Sequence, residues 1–363
     1  MRTLKILDWP AQRFNSESHP LHKWRTGLRE SGILLEFFDD HRNEKLRNSD
    51  FLLIHSRYFS AGWQDIHQRN AENEQELLLF LSEVKRSTGK LIWFDAADSS
   101  GSFDFLLMDF VDVFLKKQLL KDRSYYTTTS QQNNLRIWLN DYPENTKTYA
   151  FEPCPKAHLS KLKLAWNIGL NDYRYFGFKT ARLSNYLSYY LYPLPFSPVK
   201  KARPIDLSFR GKLPRHQSDQ DPEGALSLQR QQVFRLLAEI DLMKSGVGKL
   251  TKSRYWEEMR KSKISVSPYG WGEICYRDFE TFIAGAILVK PAMEHLQTYP
   301  DLYLPGETYV PLRWDMADLE EQIYLIKDQY PHYCQIAENG ASLYRSSIHD
   351  GEAFINRLLE ILE

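Results

Sequence analysis

The sequence predicts an α/β protein made of two doubly wound halves, each with a parallel sheet. Three observations carry that prediction. Short apolar runs alternate with stretches of helical periodicity from Thr3 to Leu115, the pattern of buried parallel strands crossed by helices. The same alternation starts again at Ile205, after a proline-rich stretch. The 363 residues also exceed what a single hydrophobic core usually serves.

In the first half, strands are expected at Thr3–Leu7, Ile33–Phe38, Phe51–His55, Leu91–Phe94 and Val111–Leu115. Four of these hand over to polar clusters: Asp8-Trp9-Pro10, Asp39-Asp40-His41, Ser56-Arg57 and Asp95-Ala96-Ala97-Asp98. In open α/β sheets, ligands bind at that carboxyl edge. Between the third and fourth strands, Leu77, Leu78, Phe80, Leu81 and Val84 recur at helical spacing and predict a helix over Asn73–Arg86. The first turn has no G-x-G-x-x-G, so a dinucleotide site is not supported.

From Tyr125 to Arg203 the chain is rich in Tyr, Asn, Lys, Leu and Pro, a connecting segment with helix expected over Leu159–Trp166 and Lys179–Tyr190. The second half opens with strand Ile205–Phe209, then Arg210-Gly211-Lys212 and a polar loop over Arg215–Gly224. Helices follow over Leu226–Ile240 and Arg254–Lys261, then strand Ile264–Val266. The resulting division is 1–150, a connection over 151–204, a second α/β unit over 205–345 and a C-terminal helix over 346–363.

Composition narrows the classes. Lys+Arg and Asp+Glu balance at 47 each, and the absence of a basic surplus argues for no nucleic-acid partner. Aromatics make up 14% of the chain, which suits flat sugar faces as well as core packing. Cys154, Cys275 and Cys334 form neither a disulfide framework nor a zinc motif, so three reduced thiols are expected. No secretory leader or membrane-spanning run is read. A cytoplasmic protein is therefore expected, with peripheral membrane contact still open.

The richest segment is Tyr255–Pro291, read as helix, buried strand, glycine turn, helix and strand. Gly270 and Gly272, beside Tyr269, would let backbone amides approach a ligand. The helix beginning near Glu273–Tyr276 presents free N–H groups suited to a phosphate. Arg277 and Glu280 lie three apart, on one helix face. The arginine could hold a diphosphate, and the carboxylate could accept hydrogen bonds from two ribose hydroxyls. The alternative is an Arg–Glu ion pair capping an ordinary β–α unit.

This pattern, Arg277-x-x-Glu280 with Gly285 and strand Ile287–Val289, resembles the donor-site signature of GT-B glycosyltransferases. The likeness is to the exostosin-like and bacterial spore-maturation-type families, which carry an Arg-x-x-Glu-x-x-x-x-Gly segment. Tyr309–Asp315 with a helix over Met316–Ile326 resembles their next segment, and Asp206–Gly211 the start of their C-terminal domain. The resemblance spans 205–345 and implies two Rossmann-like domains facing a cleft. It implies sugar transfer from a nucleotide-sugar donor to a glycan or lipid-linked acceptor in bacterial surface polysaccharide or lipopolysaccharide assembly. Neither a cofactor nor a metal is implied. By analogy Glu280 binds ribose and Arg277 the phosphates. Glu273 lies seven rather than eight positions before Glu280, a departure from the retaining motif that favours inversion.

An inverting enzyme needs a base from the first half. Candidates at strand ends are Asp8, Asp39, Asp40, His41, His55, Asp95 and Asp98, with Asp8 preferred because Trp9 beside it could stack on a sugar. Arg210 and Lys212 follow the first strand of the second half and could neutralise the departing diphosphate; Lys249 and Arg254 are further cations, and His295 is a further neighbour. Alternatives are an inactive GT-B-like binding protein and an epimerase.

Overall fold

The computed structural model describes residues 1–9, 17–59, 70–101, 104–128, 135–142, 153–174, 187–211, 222–246 and 248–363. Lys212, the loop expected from Arg215, and most of the helix expected over Lys179–Tyr190 fall outside them.

The first sheet contains β1 (Arg2–Leu7), β2 (Ile33–Phe38), β3 (Ser49–His55), β4 (Thr88–Asp95), β5 (Val113–Lys116) and β7 (Leu162–Leu164). All six are parallel, in the order β2-β1-β3-β4-β5-β7. Strand order reverses between β1 and β3, so the loops leaving these two strands diverge and open a crevice. Helices α1 (His19–Lys23), α2 (Arg25–Glu30) and α3 (Ala71–Lys85) lie in the crossovers. Asn70 caps α3 by accepting the Asn73 N–H, satisfying a donor that a helix start leaves open.

The second sheet is also parallel, in the order β12-β10-β9-β8. Its strands are β8 (Ile205–Ser208), β9 (Ser262–Val266), β10 (Ile287–Pro291) and β12 (Val310–Leu312). Around it stand α5 (Pro222–Glu239), α6 (Lys252–Lys261), α7 (Tyr276–Ala284), α8 (Leu319–Asp328) and α9 (Tyr330–His349). Helix α7 is amphipathic: Phe279, Phe282 and Ile283 are buried, while Arg277 and Glu280 are half-buried. It ends at Gly285, whose φ of 66° is left-handed. Any other residue there would be strained, and a Cβ would sit 2.6 Å from the Ser197 carbonyl.

Three features tie the halves together. A two-stranded antiparallel ladder pairs β6 (Gln118–Leu120) with β11 (Leu296–Thr298). The terminal helix α10 (Gly351–Leu362) returns to the first half, where Phe354 packs on Trp24 and Trp166. The larger core also runs from β1–β5 through Trp166 to Phe279 and Tyr344 without a break. Removing a buried ring at that seam, as in Phe279→Ala, should cost about 3–5 kcal/mol.

Most expected elements are present, with two corrections. Leu159–Trp166 is not an α-helix: a 3₁₀ turn over Lys156–Lys161 leads into β7. Backbone pairing of Leu162–Leu164 with Phe114–Lys116 overrides helical periodicity in so short a segment. Helix α8 starts at Leu319, not Met316, which has a positive φ of 58°. All three cysteines are free, as expected.

Candidate active site

The crevice between β1 and β3 collects five ionisable groups. Asp8 and Trp9 leave β1, His55 ends β3, and Arg57 follows it. Glu17 enters just before α1, and Lys117 just after β5. Lys117 is buried and holds Glu17 at 3.1 Å and Asp98 at 3.2 Å. Arg57 donates to Asp98 at 2.7 Å, and its guanidinium lies over the Trp9 ring at 5.0 Å. His55 Nδ1 accepts the Arg57 backbone N–H at 3.2 Å, so the neutral ring carries its proton on Nε2, which faces Glu17 at 3.9 Å.

These neighbours separate the carboxylates. Burial would raise Glu17, but Lys117, His55 and Arg57 outweigh it and hold the acid well below its ordinary range. Asp98, also opposed by burial, is lowered by Lys117 and Arg57. Asp8 moves the other way: burial raises it, against His55, the Trp9 N–H and Ser18. A carboxylate with a raised pKa is the better proton acceptor near neutrality. Asp95 is 1% exposed and bonded to equally buried Lys116 at 2.8 Å, so its charge holds β4 to β5. Asp39 and Asp40 are exposed, and His41 is bonded to Tyr58 at 3.0 Å.

On the other side, Arg277 and Glu280 do not form the ion pair that the alternative reading requires. Glu280 accepts the Tyr255 hydroxyl at 2.7 Å, and burial raises its pKa despite Tyr255 and Arg277. Arg277 donates to the Arg210 carbonyl and lies 4.8 Å over Phe209. Its Nε is buried without a hydrogen-bond partner, and no carboxylate among the described residues pairs with it. Arg210 differs: Glu258 grips it with two contacts of 2.6 Å, and Gly248 accepts a third hydrogen bond. Arg210 is thus already neutralised, contrary to the free cation expected there. Lys249 and Arg254 are exposed.

The glycine turn serves a purpose other than the one its sequence suggests. A Cβ at Gly272 would stand 1.7 Å from the Asp98 carbonyl, so this glycine lets the two halves touch. At Gly270 the added atom would meet Arg230 at 2.5 Å. Tyr269 is fully buried, edge-on to Trp138, with its hydroxyl on the Ala292 carbonyl at 2.6 Å; it is a core side chain. The start of α7 is capped by Asp278, which accepts the Cys275 N–H at 3.1 Å, Tyr303 at 2.8 Å and Ser267 at 2.5 Å. Half-buried His295 lies between Tyr269 and Trp314, its pKa lowered to about 4, chiefly by burial.

Sequence reasoning missed Glu17 and Lys117 and did not see what Glu273 does. Glu273 is buried and accepts Ser99 at 3.1 Å, Ser100 Oγ at 2.8 Å and the Ser100 N–H at 3.1 Å. It locks the second half onto the loop that carries Asp98.

Among solved structures, the chain is similar to an alpha-glucosyltransferase in complex with UDP and a 13-mer DNA containing an HMU base. The TM-score is 0.52 at 11% identity, over 99% of both chains. An alpha-glucosyltransferase with UDP-glucose and DNA containing an abasic site gives 0.50 at 11% identity, again over 99% of both. Anabaena HepE with UDP and glucose gives 0.44 at 11%, over 100% of this chain and 99% of that one. No family profile and no curated protein matches, so the likeness reaches the fold and not the exostosin-like or spore-maturation-type families. The expectation of no nucleic-acid partner is withdrawn, since the first two neighbours were solved with DNA. Phosphate contacts need a local patch of cations, which a zero net charge does not preclude. Among the described residues no helix is long and apolar enough to cross a membrane. The two parallel α/β units, the returning terminal helix and the first two of these likenesses together give the chain the GT-B fold, two Rossmann-like domains facing a cleft.

Proposed function

We propose that this protein is a glycosyltransferase that moves a sugar from a nucleotide-sugar donor to an acceptor hydroxyl. The observation that carries the reading is Arg277, a guanidinium at the head of α7 with no acidic partner among the described residues, beside a neutralised Arg210. An unpaired, partly desolvated cation is costly to keep and favours an anion such as a diphosphate. Glu280, with one oxygen on Tyr255, retains acceptor capacity for ribose hydroxyls.

The proposed chemistry is a direct displacement with inversion. The acceptor oxygen bonds to the anomeric carbon as that carbon's bond to the diphosphate oxygen breaks. Asp8 takes the acceptor proton, and Arg277 stabilises the charge gathering on the diphosphate. Support for Asp8 is its raised pKa against the lowered Asp98 and the committed Asp95. Glu273, one position off the retaining motif, is also held by two serines.

A thermal-shift screen of the wild type, Glu280→Ala and Arg277→Gln against UDP, GDP, dTDP, ADP and CMP tests the donor side. A nucleotide present at one hundred times its dissociation constant should stabilise by about 2.7 kcal/mol. One nucleotide should stabilise the wild type and hardly move either variant. If no nucleotide moves the wild type, the donor-site reading fails.

A further inference from the structure

A second basic site lies where the β6–β11 ladder, the edge strand β7 and helix α10 meet. The cavity there measures about 590 Å³, within the ~300–1,000 Å³ typical of ligand pockets. Four cations line it, Lys121, Arg123, Lys163 and Arg357, against two acids, Asp301 and Glu360. It shares no lining residue with the Asp8 crevice or with Arg277 and Glu280.

The acids do little to offset the cations. Glu360 lies 3.4 Å from Arg357, with 68% of its side chain exposed, so water screens the pair. Asp301 accepts Thr298 at 3.3 Å. Arg123 donates to the neutral Gln297 amide, and Lys163 to the Glu360 carbonyl at 3.3 Å. Among the described residues Arg357 is thus the one lining cation with an ion-pair partner. Two guanidinium nitrogens, Arg123 Nη1 and Arg357 Nε, are buried without a hydrogen-bond partner among the described residues. Buried N–H groups of a charged side chain normally find an acceptor. Both arginines line this cavity, Arg123 just after the ladder strand β6 and Arg357 on α10.

We infer that this cavity is a second anion site, for the phosphate or diphosphate group of a small ligand. The two guanidinium groups among its lining suit the oxygens of such a group, and Lys121 and Lys163 add charge without geometric demand. The walls belong to the ladder and the helix that join the halves, so occupancy there stiffens the joint between them.

Titration calorimetry with pyrophosphate at 0.15 M salt tests this on the full chain, using wild type, Arg277→Gln and Lys121→Gln/Arg123→Gln. In Arg277→Gln, where the donor side is disabled, pyrophosphate should still bind. With the double substitution made in the Arg277→Gln background this binding should weaken roughly tenfold or more, because hydrogen bonds to charged groups are lost. Lys121→Gln alone, at an exposed position, covers a double variant that fails to fold and should weaken binding in the same direction. A parallel arm measures binding to phosphatidylcholine vesicles with and without phosphatidic acid. Binding to pyrophosphate identifies a soluble phosphate source, and binding to phosphatidic acid vesicles alone identifies a lipid headgroup. The inference is overturned if neither probe binds Arg277→Gln, or if the cavity substitutions made in that background bind as Arg277→Gln alone does. The donor-site reading can fail independently of either outcome, since it is judged by Arg277.

Discussion

The two sides of the cleft treat charge in opposite ways. In the first half, Glu17, Lys117, Asp98 and Arg57 satisfy one another, while burial raises the pKa of Asp8 beside them. In the second half, Arg210 is matched by Glu258, while Arg277 next to it has no acid among the described residues. One side therefore looks prepared to receive a proton and the other an anion. A closed network can sit buried without a ligand, whereas an open one costs stability until a ligand completes it.

The largest expected effect comes from breaking the closed network. Lys117→Met leaves Glu17 charged and buried, at a cost of about 3–5 kcal/mol, measured by urea unfolding. The stability that Glu17 contributes is present above about pH 4.5, its unfolded value, and is lost as pH falls through its lower folded value. The wild-type excess over Lys117→Met should therefore shrink below pH 4.5; a loss constant down to strong acid would show that packing, not charge, was removed.

Next in size is the removal of Asp8, the proposed proton acceptor. Asp8→Asn should lower kcat by roughly 10²–10⁴ and leave nucleotide affinity unchanged. Asp98→Asn, with its side chain 52% exposed, should be far milder. Equal losses in the two variants would remove the basis for separating them. Arg277→Gln should weaken nucleotide binding by roughly ten- to a hundredfold, the worth of a charge-assisted hydrogen bond. Arg210→Gln should act on unfolding more than on affinity, because its hydrogen bonds go to Glu258.

The same contrast explains what could be read from the sequence. Buried parallel strands are near-continuous apolar runs, so β1 to β5 and β8 to β10 were legible within a few residues. Arg277 and Glu280 were legible as one face of α7 because helical spacing is local. Gly272 was visible, but its partner, the Asp98 carbonyl, lies 174 positions away in sequence. The β6–β11 ladder consists of three-residue strands without periodicity. Glu17 and Lys117 belong to no motif, and only the switch of strand order brings them together. Tyr269 sits beside a glycine turn yet faces the core, which composition alone does not reveal.

The smallest effect expected is also the sharpest test of the closed network. Asp8 must be ionised to accept a proton, so kcat/KM should fall as pH drops through its raised pKa. Glu17 contributes to that rise as a nearby negative charge. Glu17→Gln removes this charge and leaves Lys117 with Asp98 at 3.2 Å as its remaining acid. Both changes favour ionised Asp8, so the acid limb should move to lower pH while the rate at neutral pH changes little. Asp98 is already held low by Lys117 and Arg57, so if it were the base, the limb would start far into the acid range. A limb that stays in place or moves upward in Glu17→Gln would show that the proton goes to a group outside this network.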